Sequence, residues 1–486
     1  MVAVVTSAPM DSSRAASRLP SKASSSSKRI SLPLKFACSS RSVSMFPCST
    51  VQPGCTGRKN FPSVLGSPIF SLVRAPFLKF LIWAVFLFPF LCCQGESPEW
   101  SRLDKYKGSM SKAEFERLLK NVYVPREKWR MNWIELGQDA VKIRKQGGKD
   151  EWYVMPFFNP EGNATTLPPE EYWRSGRKLR STSTVKPLSG YRIALDPGHL
   201  GGRYSRMEGR HFEIGEHRPV KEGDLTLQVA KRLSKNLRAL GAEVFLLRTS
   251  AKPTTKERPK TLREEGKAWQ KRIDGESPPD RNKRDQRKIE KRRAEILFFR
   301  KEEISARARL VNEEIKPDLV VCIHLNAAAW PDPDNHELVE RNDFHVLTNG
   351  AYMGGEVAVD EQRLQMMVKL LSRSHREELS LAESMAACFS RATGLPAFSY
   401  KGPNAVKIGE TPGVWGRNLL ANRLYQCPVV FLEPYVANSK EVFARIAAGD
   451  YKGVKKVAGK LRVSLVEEYV DAVVAGLVLH AGNHSP

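Results

Sequence analysis

Residues 193–199 read IALDPGH, and this stretch decides the fold. An apolar run, Ile193-Ala194-Leu195, stops at Asp196-Pro197-Gly198 and presents His199. Strands apolar on both faces are central strands of a parallel sheet, and such sheets gather chemistry at the strands' carboxyl ends. Residues 319–324, LVVCIH, repeat the design: a β-branched run ending on His324. Two histidines delivered to one sheet edge begin a metal site.

The third ligand candidate is Glu222. In residues 219–248, Leu225, Val229, Leu233, Leu237 and Leu240 recur at helical spacing, so an amphipathic helix starts just after Glu222 and Gly241 closes it. Residues 244–248 read as the next strand. Glu222 has rivals in Glu213 and Glu216, and His211 and His217 share the same long loop; only Glu222 abuts the helix. The fourth residue is Glu433, closing the apolar run 428–432, where an acid has no packing role; Arg417 or Arg423 is its alternative, purely structural partner. Two histidines and a carboxylate with an open fourth position form a catalytic zinc arrangement. A second carboxylate can move a proton from water to a leaving amine. The constellation fits metal-assisted hydrolysis of an amide.

The stretch from about residue 191 to 481 resembles the zinc-dependent N-acetylmuramoyl-L-alanine amidases, peptidoglycan hydrolases of the cell-separation and spore-cortex type. The carrying segments are DPGHLGG (196–202), KEGDLTL (221–227), ARARLVN (306–312) running into VCIHLNAA (321–328), and FLEPYVANS (431–439). The resemblance implies zinc ligands at His199, Glu222 and His324, a catalytic Glu433, and peptidoglycan as substrate. Arg248 and Arg307 match family arginines that serve structure as readily as function. Three departures lie beside the site: Leu200 intervenes before the glycines, Leu325 replaces a small residue, and Pro434-Tyr435 replaces Leu-Gly. Rivals are another zinc amidohydrolase or carboxypeptidase on the same fold, and a wall-binding relative without activity.

The chain has 486 residues and a formal charge of +25, which invites a nucleic-acid reading. No nucleic-acid motif supports it; attraction to an anionic wall polymer or a membrane surface explains the charge as well, and no nucleic-acid partner is expected. Residues 1–72 are a Ser-rich basic tail without periodicity. Residues 73–95, with a basic start and the apolar core FLIWAVFLFPFLCC (80–93), read as a signal peptide or as a membrane anchor near 76–93. The expected location is therefore exported, in the periplasm or cell envelope. A signal belongs at an N-terminus, so translation is expected to begin near Val73. Cys92 and Cys93 suggest lipidation, although Pro89-Phe90-Leu91 is a poor lipidation box.

Residues 96–166 read as a small α+β module that braces the enzyme or, alternatively, binds wall polymer: a helix in 111–124, and strands in 133–144 and 150–158 joined by a Lys-Gln-Gly-Gly-Lys turn. Residues 167–190 are a linker, and 191–484 the catalytic domain. Within it, residues 251–303 form a charged insertion, eighteen basic against eleven acidic residues, and 286–315 reads as one long helix. Residues near 255–290 are expected to form a mobile basic arm or cover over the zinc cleft, the alternative being an inert solvated excursion. Further elements are a strand at 344–347, a helix at 377–393, a strand at 429–433 and a terminal helix at 461–480. Cys322 and Cys427, offset by four residues or roughly 13 Å along neighbouring strands, are expected to be free buried thiols like Cys388. The fold class is α/β: three layers, α/β/α, with a mostly parallel sheet, preceded by the α+β module.

Overall fold

The computed structural model describes residues 98–145, 151–159, 169–179, 185–276, 279–330, 332 and 336–483. The tail, the signal or anchor segment with Cys92 and Cys93, most of the Lys-Gln-Gly-Gly-Lys turn and parts of the linker lie outside them. Among the described residues, no helix is long and apolar enough to cross a membrane.

An N-terminal three-stranded antiparallel sheet comprises β1 (Ile134–Leu136), β2 (Ala140–Arg144) and β3 (Trp152–Pro156). The expected strand at 133–144 is thus a hairpin, folded at Gly137. Seven strands build the central sheet: β4 (Arg192–Pro197), β5 (Glu243–Leu246), β6 (Leu319–Ile323), β7 (Phe344–Thr348), β8 (Val406–Lys407), β9 (Val414–Gly416) and β10 (Val429–Pro434). Their spatial order is β8-β9-β7-β10-β6-β4-β5. All neighbours are parallel except β8 with β9 and β7 with β10.

Alternate strand residues enter opposite cores, which is why these runs are apolar throughout. Ile193, Leu195, Val321, Ile323, Val430 and Leu432 face one cluster, whereas Ala194, Val320, Cys322, Val429 and Phe431 face the other. The first cluster is closed by α2 (Glu222–Ala239), α5 (Asp360–Leu371), α6 (Ser374–Thr393) and α7 (Leu465–Gly482), following α1 (Lys112–Leu118) in the N-terminal region. The second is closed by the helical stretch 303–315 and the helix Leu420–Leu424. This is the three-layer α/β/α arrangement.

Residues of 98–159 belong to the same core as the sheet, through Trp100, Phe115, Val122 and Tyr123 among others. Arg363 of α5, fully buried, donates to the Arg144 carbonyl and lies 4.6 Å over the Trp133 ring. In the expected linker, Arg174 pairs with Asp318 at 2.8 Å. The long helix of the insertion forms as Lys283–Ile296, with wide turns at Leu297–Glu302 and Leu310–Ile315 flanking Glu303–Arg309. The terminal helix begins later than expected, because the Ser464 hydroxyl caps Glu467 and residues 460–462 pair in a short hairpin. Helix α5 and strands β8 and β9 had no sequence signal: α5 is buried nearly all round, and the two strands are very short.

The insertion is not an arm over the cleft. Helices α3 (Arg263–Asp274) and α4 (Lys283–Ile296) pack as a hairpin, and a Cβ on Gly266 would meet the Ala294 backbone at 2.9 Å. The hairpin covers Leu200, Tyr204 and Phe298 through Leu262, Trp269 and Ala294. It therefore buttresses the loop after His199 from outside, and none of residues 255–290 lines the cleft described below. Cys322, Cys388 and Cys427 are free and buried, and Cys322 stands opposite Phe431, four residues beyond Cys427, as expected.

Candidate metal and catalytic site

Register brings the site together. Pro197 stands opposite Ile323, and Ile323 opposite Leu432. Beyond the strands, Gly198 N–H donates to the Ile323 carbonyl at 2.9 Å and His324 N–H to the Leu432 carbonyl at 3.0 Å. His199, His324 and Glu433 therefore share one edge. Glu222 is the first residue of α2, one position earlier than expected, and Leu325 N–H donates to its Oε1 at 3.2 Å.

Glu222 lies between the two imidazoles: Oε2 is 3.4 Å from His199 Nε2, and Oε1 is 3.3 Å from His324 Nδ1. Donor atoms of all three residues fall within 4.8 Å of one another, a group that can hold a metal ion. Imidazole nitrogens bind zinc at about 2.0–2.1 Å and carboxylate oxygens at about 2.0–2.2 Å, and three such donors gathered this closely could hold it. Nitrogen and oxygen donors in this set suit zinc.

The loop that carries His199 is held under strain. His199 has φ of 57°, a left-handed conformation that costs a non-glycine residue roughly 1–3 kcal/mol. Gly198 must be glycine, since a Cβ there would lie 2.3 Å from the His324 ring. Two buried arginines clamp the carbonyls. Arg248 donates to Pro197 and Gly198 at 3.0 and 3.1 Å; Arg307 donates to Pro197 at 3.0 Å and pairs with Asp196 at 2.7 Å and Glu303 at 2.9 Å. Neither arginine lines the cleft, so both serve structure.

Arg307→Leu should cost about 3–5 kcal/mol of stability, because it leaves Asp196 and Glu303 buried without their cation. Urea unfolding measures this, and an unchanged midpoint would mean the carboxylates find other partners. The pH dependence has a definite sign. Burial opposes ionisation of Asp196, but Arg307 and the Tyr425 hydroxyl outweigh it and hold the carboxyl below its usual value of 3.8. A depressed folded pKa gives stability present above the unfolded value and lost as pH falls through the folded one.

Electrostatics separate the four site residues. Burial depresses His199 well below the usual imidazole value, favouring the neutral form that can donate a lone pair. Burial acts likewise on His324, but Glu222 and Glu433 outweigh it and raise that imidazole. For Glu222, burial is overcome by His199, Arg210 and His324, which hold the carboxylate ionised. Burial raises Glu433, and the Glu222 charge adds to this while His324 opposes it. Glu208 is a further site residue that no sequence motif marks: buried, it accepts the Leu200 N–H at 3.0 Å and lies 3.8 Å from His199 Nδ1, and burial raises its carboxyl to about 7. It sits in a loop with several acids, and only the fold selects it.

The rivals go elsewhere. Glu213 pairs with Arg206 and His211, and His217 packs edge-on against Phe443. Arg423 donates to Gln365 and Asn418, and Arg417 to the Tyr400 hydroxyl, so neither pairs with Glu433. The departures are accommodated: Leu200 and Leu325 are buried with their N–H groups bound to Glu208 and Glu222. Tyr435 takes φ of 66°, where the resemblance has glycine, and its hydroxyl donates to Glu468 at 2.8 Å. His199, Glu222, His324 and Glu433 open onto one cleft of about 990 Å³. Its walls carry more cations than acids, among them Arg210, Arg300, Arg309 and Arg417.

No family model and no curated protein matches the sequence. Among solved structures, the chain is similar to the CwlD amidase from Clostridioides difficile in complex with the GerS lipoprotein, at 12% identity, covering 60% of this chain and 100% of that one with a TM-score of 0.34. It is also similar to the N-acetylmuramyl-L-alanine amidase Ami1 from Mycobacterium smegmatis, at 18% identity, 61% and 99% coverage and a TM-score of 0.32. The amidase AmiC2 of Nostoc punctiforme matches at 14% identity, 60% and 96% coverage and a TM-score of 0.30.

Proposed function

We propose that this protein is a zinc-dependent hydrolase that cleaves the amide between N-acetylmuramic acid and L-alanine in peptidoglycan. The observation that carries the reading is the convergence of two imidazoles and a carboxylate, His199, His324 and Glu222, beside a second carboxylate, Glu433, on one open cleft. The sequence segments resembling the amidases imply the same roles for these four residues and so support the reading. Zinc, when bound, supplies Lewis acidity, polarising a carbonyl oxygen and making water more acidic.

The chain's own groups do the rest. Glu433 takes the proton of the attacking water and returns it to the departing amine, the role its raised affinity for a proton suits. Glu222, fixed by the Leu325 N–H and kept ionised, holds the two imidazoles in register. The Arg248 and Arg307 clamps fix the strained His199 loop, so the donors do not relax when water or substrate leaves. We place the enzyme in the cell envelope, exported by the segment 73–95, with the basic surface of α3 and α4 drawn to anionic wall polymer or membrane.

Incubating the purified, zinc-loaded protein with muropeptides and identifying products by mass spectrometry tests the reading. Release of intact stem peptide together with lactyl-bearing glycan is expected. Cleavage of free peptides or acyl amino acids instead would make it another amidohydrolase, and no cleavage of any of these a binding protein.

A further inference from the structure

Strand β7 runs antiparallel to β10, so its amino-terminal end comes to the catalytic edge and sets His345 directly opposite Glu433. Such cross-strand partners carry Cβ atoms about 4.5–5.5 Å apart on one face. His345 is 3% exposed. Its Nε2 lies 3.1 Å from the Tyr400 hydroxyl, and its Nδ1 is buried without a hydrogen-bond partner among the described residues. The Tyr400 oxygen accepts from Arg417 Nη1 at 3.2 Å, and the guanidinium lies 5.4 Å over the Tyr400 ring. That ring is fixed between Phe398 and Trp415, with centroids at 4.8 and 5.4 Å. His345, Tyr400, Arg417 and Glu433 all line the cleft.

A buried polar layer with an orphaned nitrogen is costly and calls for an explanation. Among the described residues, Arg417 makes no ion pair within 4.0 Å, although its charge acts on Glu433 and Glu356; Tyr400 is its anchor, and no other side chain accepts a hydrogen bond from its guanidinium. A guanidinium left in this state beside a cleft matches a carboxylate, which it can bind through two parallel hydrogen bonds. The position supplies the identity. If Glu433 hands its proton to the departing amine, the amine fragment lies next to Glu433, and the groups flanking Glu433 on the β7 side touch that fragment. A peptide fragment carries carboxylates; the sugar side offers hydroxyls.

We propose that Arg417, fixed by Tyr400 and by His345 beneath it, is an anion subsite that binds the peptide carboxylate nearest the scissile amide. The enzyme then selects free-acid peptides over amidated ones. This rests on the amidase reading, which it deepens. Arg417 is the binding residue; Tyr400 and His345 position it.

The test compares N-acetylmuramoyl-L-alanyl-D-glutamate with the same compound carrying both glutamate carboxyls as carboxamides. Wild-type zinc-loaded enzyme should show the lower KM for the free acid. Arg417→Gln should raise that KM by roughly ten- to a hundredfold, as for loss of a charged hydrogen bond, with a much smaller change for the carboxamide. Arg417→Lys should recover part of the difference. Tyr400→Phe keeps the ring and should raise the free-acid KM while leaving kcat nearly in place, a split that a merely structural role would not produce. Circular dichroism and thermal unfolding establish that each variant folds. Equal effects on both substrates, or none, overturn the subsite while the amidase reading stands. If wild-type enzyme cleaves neither compound, the amidase reading falls, and calorimetry with L-alanyl-D-glutamate decides the subsite alone. Binding that Arg417→Gln abolishes supports the subsite, and binding that is absent or unaffected overturns it.

Discussion

Replacing Glu433 with glutamine is expected to leave zinc content unchanged while turnover of muropeptides falls by roughly two to four orders of magnitude, the loss typical of a removed general acid–base. Glutamine keeps the side chain's length and planarity, so the position opposite His345 and level with His324 stays filled. What disappears is the proton acceptor. The three residues that could hold a metal do not include Glu433, so on the proposed reading ligation and proton transfer should separate in this chain. Zinc stoichiometry by plasma mass spectrometry and kcat on muropeptides give the two readouts. Near wild-type turnover would refute the assigned role, and a parallel loss of zinc would make Glu433 a ligand instead.

His324→Ala should fail in the opposite way, losing zinc and activity together. His324 provides one of two nitrogen donors, 3.3 Å from the Glu222 carboxylate, and its ring stacks on Phe431 at 4.7 Å. Removing it leaves two donors, too few to close a zinc site, together with a pocket between Gly198 and Phe431. A ligand that binds only the folded state raises its stability in proportion to the logarithm of its concentration over Kd. The wild-type melting temperature should therefore climb with added zinc, and that of His324→Ala should not respond. His211→Ala is the matched control, because the His211 ring is engaged by Ser205 and Glu213 and not by the three donor residues; it should keep its zinc. Full zinc occupancy in His324→Ala would show that the ligand set is wrong.

Much of the site was legible because its parts sit at the ends of apolar runs. A β-branched run that must be buried on both faces can only be a central strand, and a histidine or glutamate closing such a run has nowhere to go but the sheet edge. His199, His324 and Glu433 were readable for that reason, and Glu222 because a helix start is marked by the apolar spacing that follows it. Arg417 stood in the sequence only as an alternative partner for Glu433. Its attachment to Tyr400 depends on residues distant in sequence meeting at the start of β7, and no local pattern encodes that meeting.

The charged insertion shows the same limit from the other side. Its composition suggested an arm or cover, yet Leu262, Trp269, Ala294 and Phe298 are enough to seat it on the loop after His199. A few apolar positions decide where a charged helix pair docks, because they alone gain by leaving water. The layered α/β class, the sheet edge where His199, His324 and Glu433 gather and the helix start at Glu222 could be read from the chain alone, since periodicity and strand ends are local properties. Three features emerge only on folding: β7 turns antiparallel to bring His345 opposite Glu433, two buried arginines hold the His199 loop, and the insertion braces that loop rather than covering the cleft. Each of these depends on which distant side chains find one another, and the energy of that choice lies in packing and paired charge that no single segment contains.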